Sequence, residues 1–231
     1  YGDTDSLFVL LGADFEEQQA LETGRQLARE LNRWWQEELQ REFGLESFLE
    51  IEFETHFIRF LMPTIRGSET GSKKRYAGYV RTASGEFEVR FKGLESVRSD
   101  WTPLARTFQQ ELYRRVFFNK PYRDYVRATA NALRAGELDN LLVYRKRLRR
   151  KLGEYQRNIP PHVQAARKAK KVGRWISYLV TVNGPEPLDN HPSAIDYQHY
   201  IDRQLAPAAD SILHFVGDTF EGITADQLNL F

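Results

Sequence analysis

The chain has 231 residues, 41% apolar, 13% aromatic and 28% charged, a composition that buries a core and excludes fibrous and disordered classes. It holds no cysteine, which removes disulfide frameworks, thiolate metal sites and thiol nucleophiles and fits a reducing compartment. No apolar run approaches the ~18 residues of a membrane span. The net charge of +1 hides a partition: residues 1–66 carry 6 basic and 14 acidic side chains, residues 73–174 carry 26 and 9, and residues 175–231 carry 1 and 8. The basic middle reads either as a nucleic-acid-facing surface, because phosphate neutralisation needs clustered Lys and Arg, or as a solvated helical surface.

Tyr1-Gly2-Asp3-Thr4-Asp5-Ser6 runs into the apolar stretch Leu7–Leu11, of strand length. With Gly2 and Asp3 as a turn signal, the expected shape is a hairpin whose first strand precedes Tyr1, and the abrupt start leads us to expect a fragment cut inside a domain. Leu27, Leu31, Trp34 or Trp35 and Leu39 recur at helical spacing and predict an amphipathic helix over 15–43. Leu49-Glu50-Ile51-Glu52-Phe53-Glu54 alternates as a half-buried strand does, and Phe57 to Met62 reads as a second strand stopped by Pro63. After a small, polar loop at 67–72, Lys73–Val80 and Glu86–Lys92 read as strands paired through Ser84-Gly85.

Leu104, Phe108, Leu112 and Val116 place a helix after Trp101. Pro121 opens another and Gly136 closes it. Pro160-Pro161 starts a third, ending near Gly173; Trp175–Val182 is a strand, and Tyr197–Val216 a last helix interrupted by Pro207. The fold class is α+β.

Two aspartates at i and i+2 on a tight turn can present carboxylates to one Mg²⁺, which takes oxygen ligands and completes its shell with substrate phosphates and water. By itself Asp-x-Asp is also simply a turn. The six-residue string 1–6 ahead of an apolar strand is more specific, and it resembles the third catalytic motif of family B DNA polymerases, carried on a hairpin of the palm domain. Further matches follow in order. Leu49–Glu54 resembles the palm strand after that hairpin, and Lys73-Lys74-Arg75-Tyr76 the basic motif that contacts primer–template. Lys92-Gly93-Leu94-Glu95-Ser96-Val97-Arg98-Ser99-Asp100-Trp101 is similar to the thumb signature. Pro161-His162-Val163, Ile176-Ser177-Tyr178 and Gln204-Leu205-x-Pro207 also recur in family thumbs.

The resemblance implies the end of a palm, an antiparallel sheet with a packed helix, over residues 1–66, and a largely helical thumb with short strands over 67–231. Carried over residue by residue, it makes Asp5 a ligand of two catalytic Mg²⁺ ions shared with an aspartate upstream of this chain, and Asp3 its neighbour and second candidate. Lys73, Lys74, Arg75, Tyr76, Lys92 and Arg98 become DNA contacts. In the basic run 145–151, Arg145, Lys146 and Arg147 supply phosphate contacts without sequence readout. Lys73 and Lys74, at adjacent strand positions, would face opposite sides.

At the C-terminus, Gln227, Leu228, Leu230 and Phe231 are similar to the peptide by which bacterial replication proteins bind a sliding clamp, and tethering there would raise processivity. The implied partners are primer–template DNA, dNTP and the clamp, with no membrane, in a bacterial, nucleoid-associated cytoplasmic setting. The partner-carboxylate and dNTP-binding motifs of the family are not in these residues, so the chain alone is expected to be inactive. The alternative is a non-catalytic module that binds duplex DNA and the clamp. A P-loop is excluded by glycine spacing at 67–73, a serine hydrolase by the absence of Gly-x-Ser-x-Gly, and the five histidines show no metal-ligand spacing.

Overall fold

The computed structural model describes residues 2–3, 5–12, 15–63, 74–98 and 100–225. The chain sorts into two compact units, Tyr1–Leu61 with Gly78–Arg90, and Met62–Ala77 with Phe91–Phe231. Helices and antiparallel strands are mixed throughout, an α+β architecture.

In the first unit, strands β1 (Gly2–Asp3) and β2 (Ser6–Leu7) pair antiparallel, with Gly2 opposite Leu7 and Asp3 opposite Ser6. Gly2 and Asp3 are therefore in the first strand and not in the turn, which lies between Asp3 and Ser6. Pairing ends at Leu7, short of the expected Leu11; beyond it Phe8 packs on Phe60 at 5.1 Å between ring centres while Leu10 is 96% exposed. Helix α1 (Glu17–Phe43) follows, its start tied by Glu16 N donating to Gln19 Oε1 at 3.4 Å and its end turned by Gly44 at φ 63°. The positive φ suits a residue without Cβ.

The strand expected at Leu49–Glu54 is not laddered. Ile51 and Phe53 are half-buried while Glu50, Glu52 and Glu54 are exposed, so the alternation survives without strand pairing. The reason is that Asn32 of α1 serves the backbone instead: its Nδ2 donates to Ile51 O at 2.9 Å and its Oδ1 accepts from Ile51 N at 2.8 Å. Strands β3 (Arg59–Leu61), β4 (Tyr76–Arg81) and β5 (Phe87–Lys92) form a sheet in that order. Lys74 lies in a turn before β4 and not in the strand, and its carbonyl lies where a Cβ on Gly93 would stand; Lys73 lies outside the described residues.

The second unit is built on α2 (Pro103–Phe117), capped by Thr102, whose Oγ1 accepts from Ala105 N at 3.3 Å. Leu104, Phe108 and Leu112 are buried as their spacing requires. Helix α3 (Arg123–Arg134) ends ahead of Gly136 at φ 78°. The basic run contains a strand that periodicity did not reveal, β6 (Tyr144–Arg147), which with β7 (Trp175–Thr181) and β8 (Gly184–Pro187) makes a second antiparallel sheet. Helix α4 (Pro161–Lys168) packs on β7 and β8. It stops five residues before Gly173, because Ala169 is extended at ψ 142°.

The last helix is remodelled before its proline. Helix α5 (Tyr197–Tyr200) passes into a π-turn at Ile201–Leu205 and then into α6 (Ala206–Leu213). Pro207 has no N–H for the carbonyl four residues back, and Gln204 Nε2 donates to that Arg203 carbonyl at 3.2 Å. Helix α7 (Phe220–Ala225) returns to α3 and α6.

Candidate nucleic-acid interface and acidic turn

The acidic turn places Asp5 between β1 and β2, exposed, its Oδ1 accepting from Ser6 Oγ at 3.4 Å. Asp3 contributes its backbone to β1, and its side chain lies outside the described residues. The hairpin holds this carboxylate in its connection, with Gly2 paired to Leu7 and Asp3 to Ser6. The donor type suits a hard divalent cation. Among the described residues no three metal-binding side chains cluster, so Asp5 fits as one corner of a coordination shell and not as a complete one.

The basic residues singled out from the sequence lie in the second unit and have unequal surroundings. Arg75 pairs with the buried carboxylate of Glu95. Glu95 Oε2 also accepts from Gln109 Nε2 at 2.8 Å, and Gln109 Oε1 accepts from Ser96 N at 2.7 Å. Arg75 is thus anchored to the 94–96 segment and α2. Lys92 Nζ lies 5.8 Å from the centre of the Tyr76 ring, a cation–π arrangement that leaves the ammonium exposed.

Arg98 grips Asp100 through two bonds, Nε to Oδ1 at 2.9 Å and Nη2 to Oδ2 at 2.7 Å, and Lys146 Nζ reaches Asp100 Oδ2 at 3.5 Å. These contacts, the Arg98 bond foremost, hold the Asp100 carboxyl at about 2, well below the usual carboxylate range. His162 sits half-buried at the start of α4 with its ring edge-on to Tyr155 at 6.5 Å, and burial, aided by Lys146, lowers its pKa. Behind them Tyr144 stacks on Tyr178 at 5.1 Å and on Tyr200 at 5.8 Å, and Tyr200 Oη accepts from Val180 N at 2.9 Å.

The structure therefore brings Arg98 and Lys146 to one carboxylate, leaves Arg145 and Arg147 exposed, and holds Arg75 in an ion pair. Lys73, Gln227, Leu228, Leu230 and Phe231 lie outside the described residues. Sequence reasoning did not single out Asp100 as the common partner; its place two residues from Arg98 was the available signal. It also passed over Trp175, half exposed beside the basic run.

The family model for DNA polymerase family B matches residues 1–216. The chain belongs to DNA polymerase family B. This family chain is 56% identical to DNA polymerase II of Escherichia coli (strain K12) over 243 residues, covering all of the chain and 31% of that relative. It is 32% identical to DNA polymerase 2 of Aeropyrum pernix over 237 residues, covering 95% of the chain and 25% of the relative. It is 29% identical to the DNA polymerase delta catalytic subunit of Plasmodium falciparum, covering 90% of the chain and 19% of the relative. The chain thus spans 19–31% of the length of these curated relatives. Among the described residues no helix is long and apolar enough to cross a membrane.

Proposed function

We propose that these residues are the C-terminal palm (1–66) and thumb (67–231) of a DNA-directed DNA polymerase of a bacterial cytoplasm. The observation that carries the reading is the exposed carboxylate of Asp5 at the tip of a two-strand hairpin, at the start of a segment matched by the family B model. In the whole enzyme the primer 3′-oxygen attacks the α-phosphorus of a dNTP; the new O–P bond forms as the bond to the β-phosphate bridging oxygen breaks, and pyrophosphate leaves with the charge. Mg²⁺, when bound, supplies charge neutralisation at the attacking and leaving oxygens. Asp5 is the residue of this chain that would hold it, and Asp3 is its neighbour.

The role of the second unit is to grip primer–template through the sugar–phosphate backbone. Lys73, Lys74 and Tyr76 precede or open β4, Lys92 closes β5, and Arg145 and Arg147 line β6. Arg75, Arg98 and Lys146, fixed by Glu95 and Asp100, shape that surface. The tail residues Gln227, Leu228, Leu230 and Phe231 would tether the enzyme to a sliding clamp.

The test is primer extension. The 231-residue chain with Mg²⁺, primer–template and dNTPs should yield no extended product. In the full-length protein, Asp5→Asn should lower the extension rate by about 100- to 1000-fold, the scale of losing a group that stabilises transition-state charge, while duplex affinity stays unchanged. Extension by the chain alone that Asp5→Asn abolishes would overturn the proposed incompleteness. An Asp5→Asn full-length protein with normal extension would overturn the catalytic role and leave a binding module.

A further inference from the structure

The pairing of β6 with β7 divides the basic run between two faces. Arg145 lies opposite Ser177 and Arg147 opposite Trp175, and cross-strand partners share a face while neighbours alternate. Arg145, Arg147 and Trp175 therefore stand together on the outer face, with Tyr144, Ile176 and Tyr178 buried on the other. The Trp175 side chain is 51% exposed, and the Arg145 guanidinium lies 5.0 Å from its ring centre.

Beyond this pair the two chain segments remain joined, Leu148 N donating to Arg174 O at 2.9 Å. They border an open surface pocket of about 490 Å³ lined by Arg149, Arg150, Lys151 and Arg174, with Glu154 as its single carboxylate. No ion pair holds any of these four cations among the described residues. The loop that presents them is fixed from beneath: Tyr155 Oη accepts from the backbone amides of Arg149 and Arg150, both at 3.2 Å. A concave cluster of uncompensated cations suits a phosphate. A half-exposed indole backed by a guanidinium suits the face of a base.

We propose that Trp175, Arg145 and the Arg149–Arg150–Lys151–Arg174 pocket form a seat for an unpaired nucleotide of a DNA strand, with its base on the indole and its phosphate in the pocket. The proposal rests on the DNA-binding reading of this unit and deepens it. The base is unpaired because in a duplex both of its faces are covered by neighbouring bases, leaving none for Trp175.

The test is binding of the 231-residue chain, followed by fluorescence anisotropy, to an oligothymidine of about 12 nucleotides, to the same strand with abasic residues at its centre, and to a duplex of equal length. Trp175→Ala should weaken oligothymidine binding roughly 5- to 100-fold and leave duplex affinity unchanged. The abasic strand should lose a similar factor with the unmodified chain and nothing more with the variant. Paired replacement of Arg149 and Arg150 by Ala should flatten the single-strand salt slope by about 0.7 for each phosphate no longer neutralised.

Should Trp175→Ala fail to fold, oligothymidine should still quench indole fluorescence of the unmodified chain, and Trp175→Phe should remove that quenching. Duplex binding that falls with salt, together with a Trp175→Ala variant that binds oligothymidine normally, overturns the seat alone. Equal loss on strand and duplex overturns it too, as does unchanged quenching in Trp175→Phe. Absence of salt-dependent binding to either DNA overturns the seat and the underlying DNA-binding reading together.

Discussion

Asp100 shows how one side chain decides the meaning of its neighbours. Arg98 and Lys146 are separated in sequence, yet both pair with one carboxylate, and the cost of fixing two long side chains is offset by a bidentate bond. Its carboxyl is held at about 2 in the folded chain against about 3.9 when unfolded. The folded pKa is depressed, so this contribution is present in full above pH ~4 and is lost as the pH falls from there through about 2. Asp100→Asn should lower the unfolding free energy by about 1 kcal/mol at neutral pH, after discounting for the exposed Arg98. Chemical denaturation across pH 2–6 would check this, since the variant should lose that part of the acid-limb slope. Gly93 is a second such position. At φ 66° it is in the left-handed region, and a Cβ would strike the Lys74 carbonyl. Gly93→Ala should cost about 2–4 kcal/mol, the sum of the left-handed penalty and overpacking, read as a shifted urea midpoint at unchanged slope.

At the scale of elements, long helices with regular apolar spacing were legible and short or exceptional segments were not. Helices α1, α2 and α3 follow from period and caps, because Leu104, Phe108 and Leu112 must share a face. Strand β8 was hidden by Pro185 and Pro187, which suppress strand propensity but are tolerated on the edge strand it forms. Leu49–Glu54 has strand alternation without a ladder, because alternation reports a half-buried extended chain and Asn32 of α1 supplies the hydrogen bonds. In the candidate site, Asp5 was legible from its turn, whereas the inward and outward split of Arg145, Lys146 and Arg147 needed the β6–β7 register. The π-turn was signalled only by Pro207. Gln204 serves it from the inside: beyond its bond to Arg203 O, its Oε1 accepts from Thr102 N at 3.2 Å and Thr102 Oγ1 at 3.0 Å. Gln204→Ala should destabilise by about 1–3 kcal/mol, the cost of stranding buried donors, and thermal unfolding would measure it.

For the whole chain, charge partition and ion pairing together predict how binding responds to salt. Residues 73–174 carry 26 basic side chains against 9 acidic, yet on the proposed DNA-binding role those already engaged with carboxylates would release fewer counterions. Replacing Arg145 and Arg147 by Ala should flatten the duplex salt slope by about 0.9 for each phosphate they neutralise. Replacing Arg75 and Arg98 should change the slope less and stability more. Anisotropy titrations across a range of NaCl concentrations would separate the two pairs.

The bonds from α2 and α3 to residues 204–218 also order events in time. Thr102 meets Gln204, Gln109 and Tyr113 meet Ser211, and Tyr122 and Arg123 meet Asp218. During synthesis the first partner of each pair leaves the ribosome long before the second, so the part of α2 that packs on α6 stays uncovered until residues 206–213 have emerged. The unit closes only when residues 204–218 are in place, so its folding waits on contacts of high sequence separation.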